Sequence, residues 1–430
     1  MKNNEHQRLE PNTESEQSSP GRRQFLRRGA QAAGAVAAGS AAIMQNAAAQ
    51  VSGPESMRKP GAMPKGYGQP SRFEDRVQRA WGTGYPTVSP GTGASRTPLQ
   101  SLQGAITPNG LHFERHHNGV PDIDPAQHEL MIHGMVRQPL VFSVKDLLRY
   151  PMVSRMHFIE CAGNSGGNAT PTAPQQSVQA IHGLFSNAEW TGIPLAVLLA
   201  EAGVDPQSSW LLAEGADAAG MSRSFPLAKG MGDALLALYQ NGERLRPEQG
   251  YPMRLLLPGY QGNMSVKWLR RLKVTNEPTH TKDETSKYSN LLPDGRAEQF
   301  RFVLGVKSVI THPSGTMTIP GRGFQEISGL AWSGAGRITR VEVSVDGGRS
   351  WSDAHFDSPP QPKAAVRFRF PWNWNGSPAM LQSRATDEQG NVQPSRAAWT
   401  AAYSAANRFH NNMIQTWAVA ADGGVSNVYA

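Results

Sequence analysis

A single cysteine in 430 residues constrains this chain more than any other feature. One thiol cannot close a disulfide within its own chain, so the fold must rest on burial and hydrogen bonding rather than on covalent cross-links. Its setting narrows the matter further. Cys161 ends a short apolar run, Met156 to Ile159, and opens the turn-forming sequence Ala162-Gly163-Asn164-Ser165-Gly166-Gly167. A strand entering such a turn presents its last side chain at a sheet edge, where binding residues concentrate. The thiol then reads either as a small buried hydrophobe or as a soft donor to a metal.

The length suits two domains, and 44 Gly with 32 Pro imply many turns. Arg22-Arg23-Gln24-Phe25-Leu26, followed by Ala/Gly-rich sequence to Ala47-Ala48-Ala49, reads as a twin-arginine export signal over residues 1–49 with a periplasmic destination. Its apolar part is broken by Gln31, Ser40, Gln45 and Asn46, too weak for a spanning helix, so no membrane span is expected in the mature chain. Export of a folded protein suits one that takes up a bulky cofactor before crossing. The net charge of +8 comes from scattered basic residues rather than basic-aromatic clusters, which excludes nucleic acid and is compatible with an acidic protein partner. Residues 50–105, rich in Pro, Gly and Ser, are expected to wrap the surface without forming a core.

From Ile106 order resumes. Leu111 to Pro121 combines a short extended segment with His112, His116 and His117. A zinc site is a poor reading, because two of these are adjacent and no second ligand pair has metal spacing. Ser143 to Leu148 predicts a short helix opened by a capping box and closed before Pro151. Pro194, as first helical residue, and Gly203, as stop, frame a one-sided apolar helix from Leu195 to Ala200. Arg246 to Gly259 reads as a turn feeding a buried strand, and Lys267 in Ser265-Val266-Lys267-Trp268-Leu269 reads, taken alone, as a solvated lysine on a strand edge. From Phe300 the pattern turns to short alternating strands, clearest in Arg340 to Trp351, where valines two apart lead to a tight Asp346-Gly347 turn.

Cys161-Ala162-Gly163-Asn164 behind a hydrophobic strand resembles the metal-ligand loop of the sulfite oxidase family of molybdopterin enzymes, and further motifs recur in the family's order. The resemblance implies an α+β chain: a mixed α/β molybdopterin-binding domain over 106–290 with the sulfite oxidase fold, then an all-β immunoglobulin-like dimerisation domain over 300–430. It implies one molybdenum-molybdopterin per chain, with Cys161 as the metal ligand. Phe113-x-Arg115-x-His117 with Pro121 resembles the segment supplying an active-site arginine, Arg115, and a cofactor-contacting histidine, His117. Asp217 falls where the family has a pterin-contacting aspartate. Gly250-Tyr251-Pro252-Met253-Arg254 matches the segment whose arginine, Arg254, pairs with the cofactor phosphate, a partner shaped for a guanidinium fork. The family's histidine before that glycine is here Gln249, which can still donate a hydrogen bond. Lys267 takes the cofactor-side lysine, Tyr288 the tyrosine facing the metal's oxygen ligand, and Arg408 the second-domain arginine that reaches the substrate pocket.

Sulfite-oxidising members continue the Cys-Ala-Gly-Asn loop with arginines that hold the small dianion, whereas this chain has Ser165, Gly166 and Gly167. That departure points to the branch acting on sulfane sulfur carried by a partner protein, with small residues widening the entrance. Alternatively the glycines serve the turn, and another arginine such as Arg408 replaces the charge. Free sulfite is the alternative substrate, and a metal-free assembly module the alternative outside enzymes. A c-type haem needs Cys-x-x-Cys-His, so no haem is expected in this chain, and electrons are expected to leave through a c-type cytochrome subunit. The implied assembly is a homodimer within a larger heteromer.

Overall fold

The computed structural model describes residues 55–57, 60, 62–63, 65–82, 90–404 and 406–430. The export-signal reading of residues 1–49 lies outside the described residues. Two contact units are separated, Met1–Ser71 and Arg72–Ala430. In the first, the described residues include a single 3-10 turn, Glu55–Met57. Everything below concerns the second.

The first half of this unit contains two five-stranded sheets. One runs Glu243–Arg244, Leu235–Gln240, Phe185–Pro194, Val153–Glu160 in lateral order, with Arg254–Leu256 pairing alongside Leu235–Gln240. The other runs Leu140–Ser143, Glu129–Gly134, Leu269–Thr275, Trp210–Gly215, Ser222–Pro226, and its contact between Leu269–Thr275 and Glu129–Gly134 is parallel. Apolar residues from both, including Leu130, Leu211, Phe225, Leu236, Leu255 and Leu272, meet in one core with the helix Leu195–Ala202.

The local signals act as the sequence suggests. Ser143 caps Val144–Leu147, and its side chain and that of Asp146 satisfy each other's backbone N–H, closing the capping box. Gly203 ends Leu195–Ala202 at φ 70°. Pro194 stands one position earlier than expected: it is the N-cap, with an extended ψ of 123°, because it still belongs to the strand Phe185–Pro194.

The expectation that residues 50–105 stay on the surface fails at its end. Gly93–Arg96 pairs with Ala80–Trp81 on one side and Glu114–His116 on the other, and Leu99 is buried in a core shared with the second domain. These strands are two to four residues long, too short for periodicity to reveal.

The second half is a β-sandwich. A four-stranded sheet runs Lys307–His312, Gly323–Trp332, Val366–Trp374, His355–Phe356. It faces a five-stranded one: Ser352–Asp353, Ile338–Ser344, Ala379–Asp387, Thr416–Val419, Val425–Val428. Paired strands in both sheets are antiparallel, and inward residues such as Val309, Trp332, Val341, Phe368 and Trp417 fill the space between them. The Asp346-Gly347 turn is wider than expected. Asp346 accepts from the backbone of Arg349 at 3.0 Å and Ser350 at 2.9 Å, so its carboxylate organises a loop reaching to the short return strand Ser352–Asp353. The core does not stop at the domain boundary: Phe158, Ile181 and Phe185 pack with sandwich residues, and the Phe185 ring stacks on Trp332 with centroids 3.9 Å apart.

Candidate active site

The strand Val153–Glu160 is buried over its last four residues and delivers Cys161 to the wall of a cavity. The loop behind it is tightly wound. Cys161 N–H donates to the Leu184 carbonyl at 3.0 Å, Asn164 N–H returns to the Cys161 carbonyl at 2.9 Å, and Ser165 takes a left-handed φ of 64°. Burial pushes the Cys161 thiol pKa up, so a bound cation is what would favour the thiolate there.

Seven other predicted site residues share that cavity: Arg115, His117, Asp217, Gln249, Arg254, Lys267 and Tyr288. Arg115 and His117 come from the edge of Glu114–His116, Asp217 from the turn after Trp210–Gly215, and Arg254 from the strand Arg254–Leu256. The Arg115 guanidinium is steadied by the His116 carbonyl and, at 3.4 Å, the Gly93 carbonyl. His117 Nε2 stands 3.1 Å from the Tyr288 hydroxyl. Burial lowers the His117 pKa to about 3, with Arg115 adding to the effect, so the ring is neutral. Burial raises that of Tyr288, and negative charge on Cys161 raises it further.

Arg408 is not among the cavity-lining residues. It is exposed, and its backbone carbonyl instead packs against Gly166. The small residues after Cys161 therefore do not widen an entrance as expected: Ser165 is buried and Gly166 lies under the Arg408 segment, while Gly167 faces open space.

Two cations define what the cavity holds. Arg254 is 3% exposed and donates to the Gln249 carbonyl at 3.1 Å and the Ser265 carbonyl at 2.8 Å; its Nε has no hydrogen-bond partner among the described residues. Lys267 is half-buried and engaged rather than solvated, donating to His116 Nδ1 at 2.9 Å, the Glu248 carbonyl at 3.0 Å and the Arg115 carbonyl at 3.3 Å. All these acceptors are neutral. Burial drags Arg254 down to about 9 and Lys267 well below its ordinary value. Among the described residues Arg254 has no carboxylate acting on it, and for Lys267 the pull of Asp217 and Glu248 does not offset desolvation, so an anionic group of a ligand would lower the cost of charge at both residues. Gln249, standing in for a histidine, is held by donating to the Phe113 carbonyl at 3.0 Å, and its own carbonyl and amide oxygens face Arg254.

Three contributors were not singled out from the sequence. His116 accepts from Lys267 at Nδ1, which places its proton on Nε2, where it donates to Glu114 at 2.6 Å. Trp268, at φ 52°, places its indole beneath Lys267 Nζ, 4.3 Å from the ring centroid. His112 is buried in the lining with Nε2 lacking a partner among the described residues. The adjacent histidines were a visible signal, but their partner Lys267 lies 151 positions away.

No cluster of three or more His, Cys, Asp or Glu arranged for a metal occurs among the described residues. One cysteine sulfur beside a cradle of cations instead suits a metal whose other ligands come with an anionic organic cofactor, and the residues present fit such a group. Fold and site together define a molybdopterin-binding oxidoreductase domain joined to a β-sandwich. Residues 117–282 match the model of the oxidoreductase molybdopterin binding domain, and residues 298–417 that of the Mo-co oxidoreductase dimerisation domain. The chain belongs to the sulfite oxidase family. It is 31% identical over 322 residues to sulfite oxidase of Gallus gallus, covering 69% of that protein. It is 31% identical over 349 residues to the mitochondrial sulfite oxidase of Mus musculus, covering 75% of this chain but 64% of the mouse protein, so it spans just under two thirds of that relative. A nitrate reductase of Solanum lycopersicum is 29% identical over 355 residues. Among solved structures, the sulfane dehydrogenase SoxCD from Paracoccus pantotrophus aligns with TM-score 0.85 and 47% identity, over 88% of this chain and 97% of the other. Among the described residues, no helix is long and apolar enough to cross a membrane.

Proposed function

We propose that this chain is the molybdenum-binding subunit of a sulfane dehydrogenase, oxidising sulfane sulfur held on a cysteine of a carrier protein and passing the electrons to a c-type cytochrome subunit. The supporting observation is the 47% identity to a SoxCD chain over nearly its whole length, well above the identity to the sulfite oxidases. The bound metal would supply two-electron redox chemistry and oxygen transfer to sulfur. The chain's own residues do the rest. Cys161 holds the metal, Arg254 and Lys267 neutralise the anionic end of the cofactor, and Asp217 and Gln249 border it. Arg115, fixed by two carbonyls, orients an oxidised sulfur anion. Tyr288 keeps its proton and can donate it from its place beside neutral His117.

A second observation favours a carrier-borne substrate over free sulfite. Lys307, whose ammonium lies 2.7 Å from Ser165 Oγ in the loop after Cys161, is buried and paired with Glu160 at 2.9 Å, so it offers no free charge to a small dianion. A missing charge-assisted hydrogen bond weakens such binding by about 1.5 to 3 kcal/mol, roughly ten- to hundred-fold. The substrate would arrive on a flexible arm of the carrier, in a homodimer carrying the cytochrome subunit. We further propose a periplasmic location reached by the twin-arginine route, resting on Arg22-Arg23 and the small-residue site at Ala47-Ala48-Ala49. The deciding assay compares turnover of free sulfite with that of a persulfidated carrier protein, using a c-type cytochrome as acceptor. Efficient sulfite oxidation with no response to the carrier would make this a sulfite dehydrogenase. Purified protein free of molybdenum would leave a metal-free assembly module.

A further inference from the structure

Lys307 opens a strand of the second domain, yet its ammonium lies against the Cys161 loop of the first. All three of its donors are used: Glu160 Oε1 at 2.9 Å, Ser165 Oγ at 2.7 Å and the Asn411 carbonyl at 2.8 Å. Glu160 directly precedes Cys161, and Ser165 ends the same turn. One cation thus grips both ends of the loop and the segment that covers it.

The grip is reinforced from every side. Glu160 also accepts from the Trp332 indole at 2.7 Å and from Asn164 Nδ2 at 2.9 Å. Because Lys307 donates to the Ser165 hydroxyl, that hydroxyl donates onward to His182 Nδ1 at 2.6 Å, and His182 Nε2 donates to Gln415 at 3.1 Å. Asn411 Nδ2 donates to the Ser165 carbonyl at 3.0 Å, and His410 N–H to the Ala162 carbonyl at 2.9 Å. At its centre Ser165 holds a left-handed backbone that a non-glycine residue keeps only when its surroundings over-determine it.

As a device for stability alone the pair is a poor choice, since desolvation offsets most of the attraction and apolar side chains of similar volume do as well. What it supplies is direction: two hydrogen bonds of set geometry that join the domains at Glu160 and Ser165, on either side of the thiol, and a third to Asn411 that fixes the ammonium within its own domain. We infer that Lys307 is a positioning residue for the metal thiolate, clamping the Cys161 loop to residues 410–411 of the second domain and so fixing how the sulfur meets the cofactor. The inference rests on the reading of Cys161 as the metal ligand.

Lys307→Met alone strands Glu160 as an unpaired buried anion, so the test uses Lys307→Met with Glu160→Gln, which keeps volume and an acceptor for Trp332. In purified holoenzyme the double variant should retain molybdenum but shift the electron paramagnetic resonance signature of the metal, with kcat down tenfold or more and KM within about twofold. Amide exchange at Ser165 and His410 should speed up at least tenfold together. A native resonance signature with native exchange at both amides would overturn the clamp. If the variant does not fold, exchange in the wild-type protein decides: matched protection of the two amides supports the clamp, and a hundredfold faster Ser165 refutes it. Wild-type protein without molybdenum would sink the reading of Cys161 instead, while the exchange arm still reports on the clamp.

Discussion

The carbonyl oxygen of Arg408 lies 2.8 Å from the position that a β-carbon on Gly166 would occupy. The obstacle is backbone rather than the end of a flexible side chain, so relief requires the loop or the 408 segment to move. Gly166→Ala should therefore cost about 1 to 3 kcal/mol, the range for overpacking a tight contact, read as a lower urea midpoint at unchanged slope. Gly166→Arg should push Arg408 away and lower turnover as well. Gly167→Ala, facing open space, should stay within about 0.5 kcal/mol. Equal effects at both glycines would show that the contact does not govern the loop.

Arg254 separates the needs of the cofactor from those of the fold. Its guanidinium is buried against neutral acceptors and the Trp190 ring, 5.1 Å away. In cofactor-free protein Arg254→Met should leave the unfolding midpoint unchanged or raise it, because a charge without a counterion is removed. The same variant expressed with cofactor should retain about ten- to a hundred-fold less molybdenum. A drop in cofactor-free stability with normal metal retention would mean that Arg254 serves the fold alone.

Acid should unfold the protein well above the carboxylate range. Burial lowers His112, His182 and His410 to about 3 and His157 to about 4. Below the ordinary imidazole value of 6.5 the unfolded chain takes up protons that the folded chain refuses. Stability is thus full above pH 6.5 and is lost as pH falls toward 3, at up to about 1.4 kcal/mol per pH unit for each histidine. Urea midpoints at pH 7.5 and 5.5 check this; equal midpoints would mean that these rings accept protons in the fold.

What could be read from the sequence was local. The run into Cys161, the Ser143 capping box and the period-two valines before Asp346 each carry their signal within a few residues, and seven of the eight other candidate site residues meet Cys161 in one cavity. What escaped depends on partners far along the chain. Gly93–Arg96 is a strand only because Glu114–His116 lies beside it, His116 matters only through Lys267, and Lys307 looks like any strand-opening lysine until the fold brings it to Glu160. Arg408 is placed beside the Cys161 loop by its backbone carbonyl, which meets Gly166, while its exposed side chain is not among the residues lining the cavity.

Tyr288 tests how the site handles protons. Its ring is packed by Phe409, 5.6 Å between centroids, and by the Arg223 guanidinium at 5.0 Å, while its hydroxyl meets His117 Nε2 at 3.1 Å. Packing fixes the ring, so Tyr288→Phe removes the hydroxyl with little disturbance of its neighbours. If that hydroxyl moves a proton during turnover, kcat should fall about 10²- to 10⁴-fold, the usual worth of a positioned acid or base, with KM changed only a few-fold. Burial holds the phenol pKa above its ordinary value, so the alkaline limb of the wild-type rate profile should not belong to Tyr288. Molybdenum content should stay at the wild-type level, because the tyrosine does not hold the cofactor's anionic end. Steady-state kinetics on carrier-bound sulfur with a c-type cytochrome acceptor, alongside metal analysis, reads all of this. A fully metallated Tyr288→Phe protein with native kcat would exclude the hydroxyl from proton transfer.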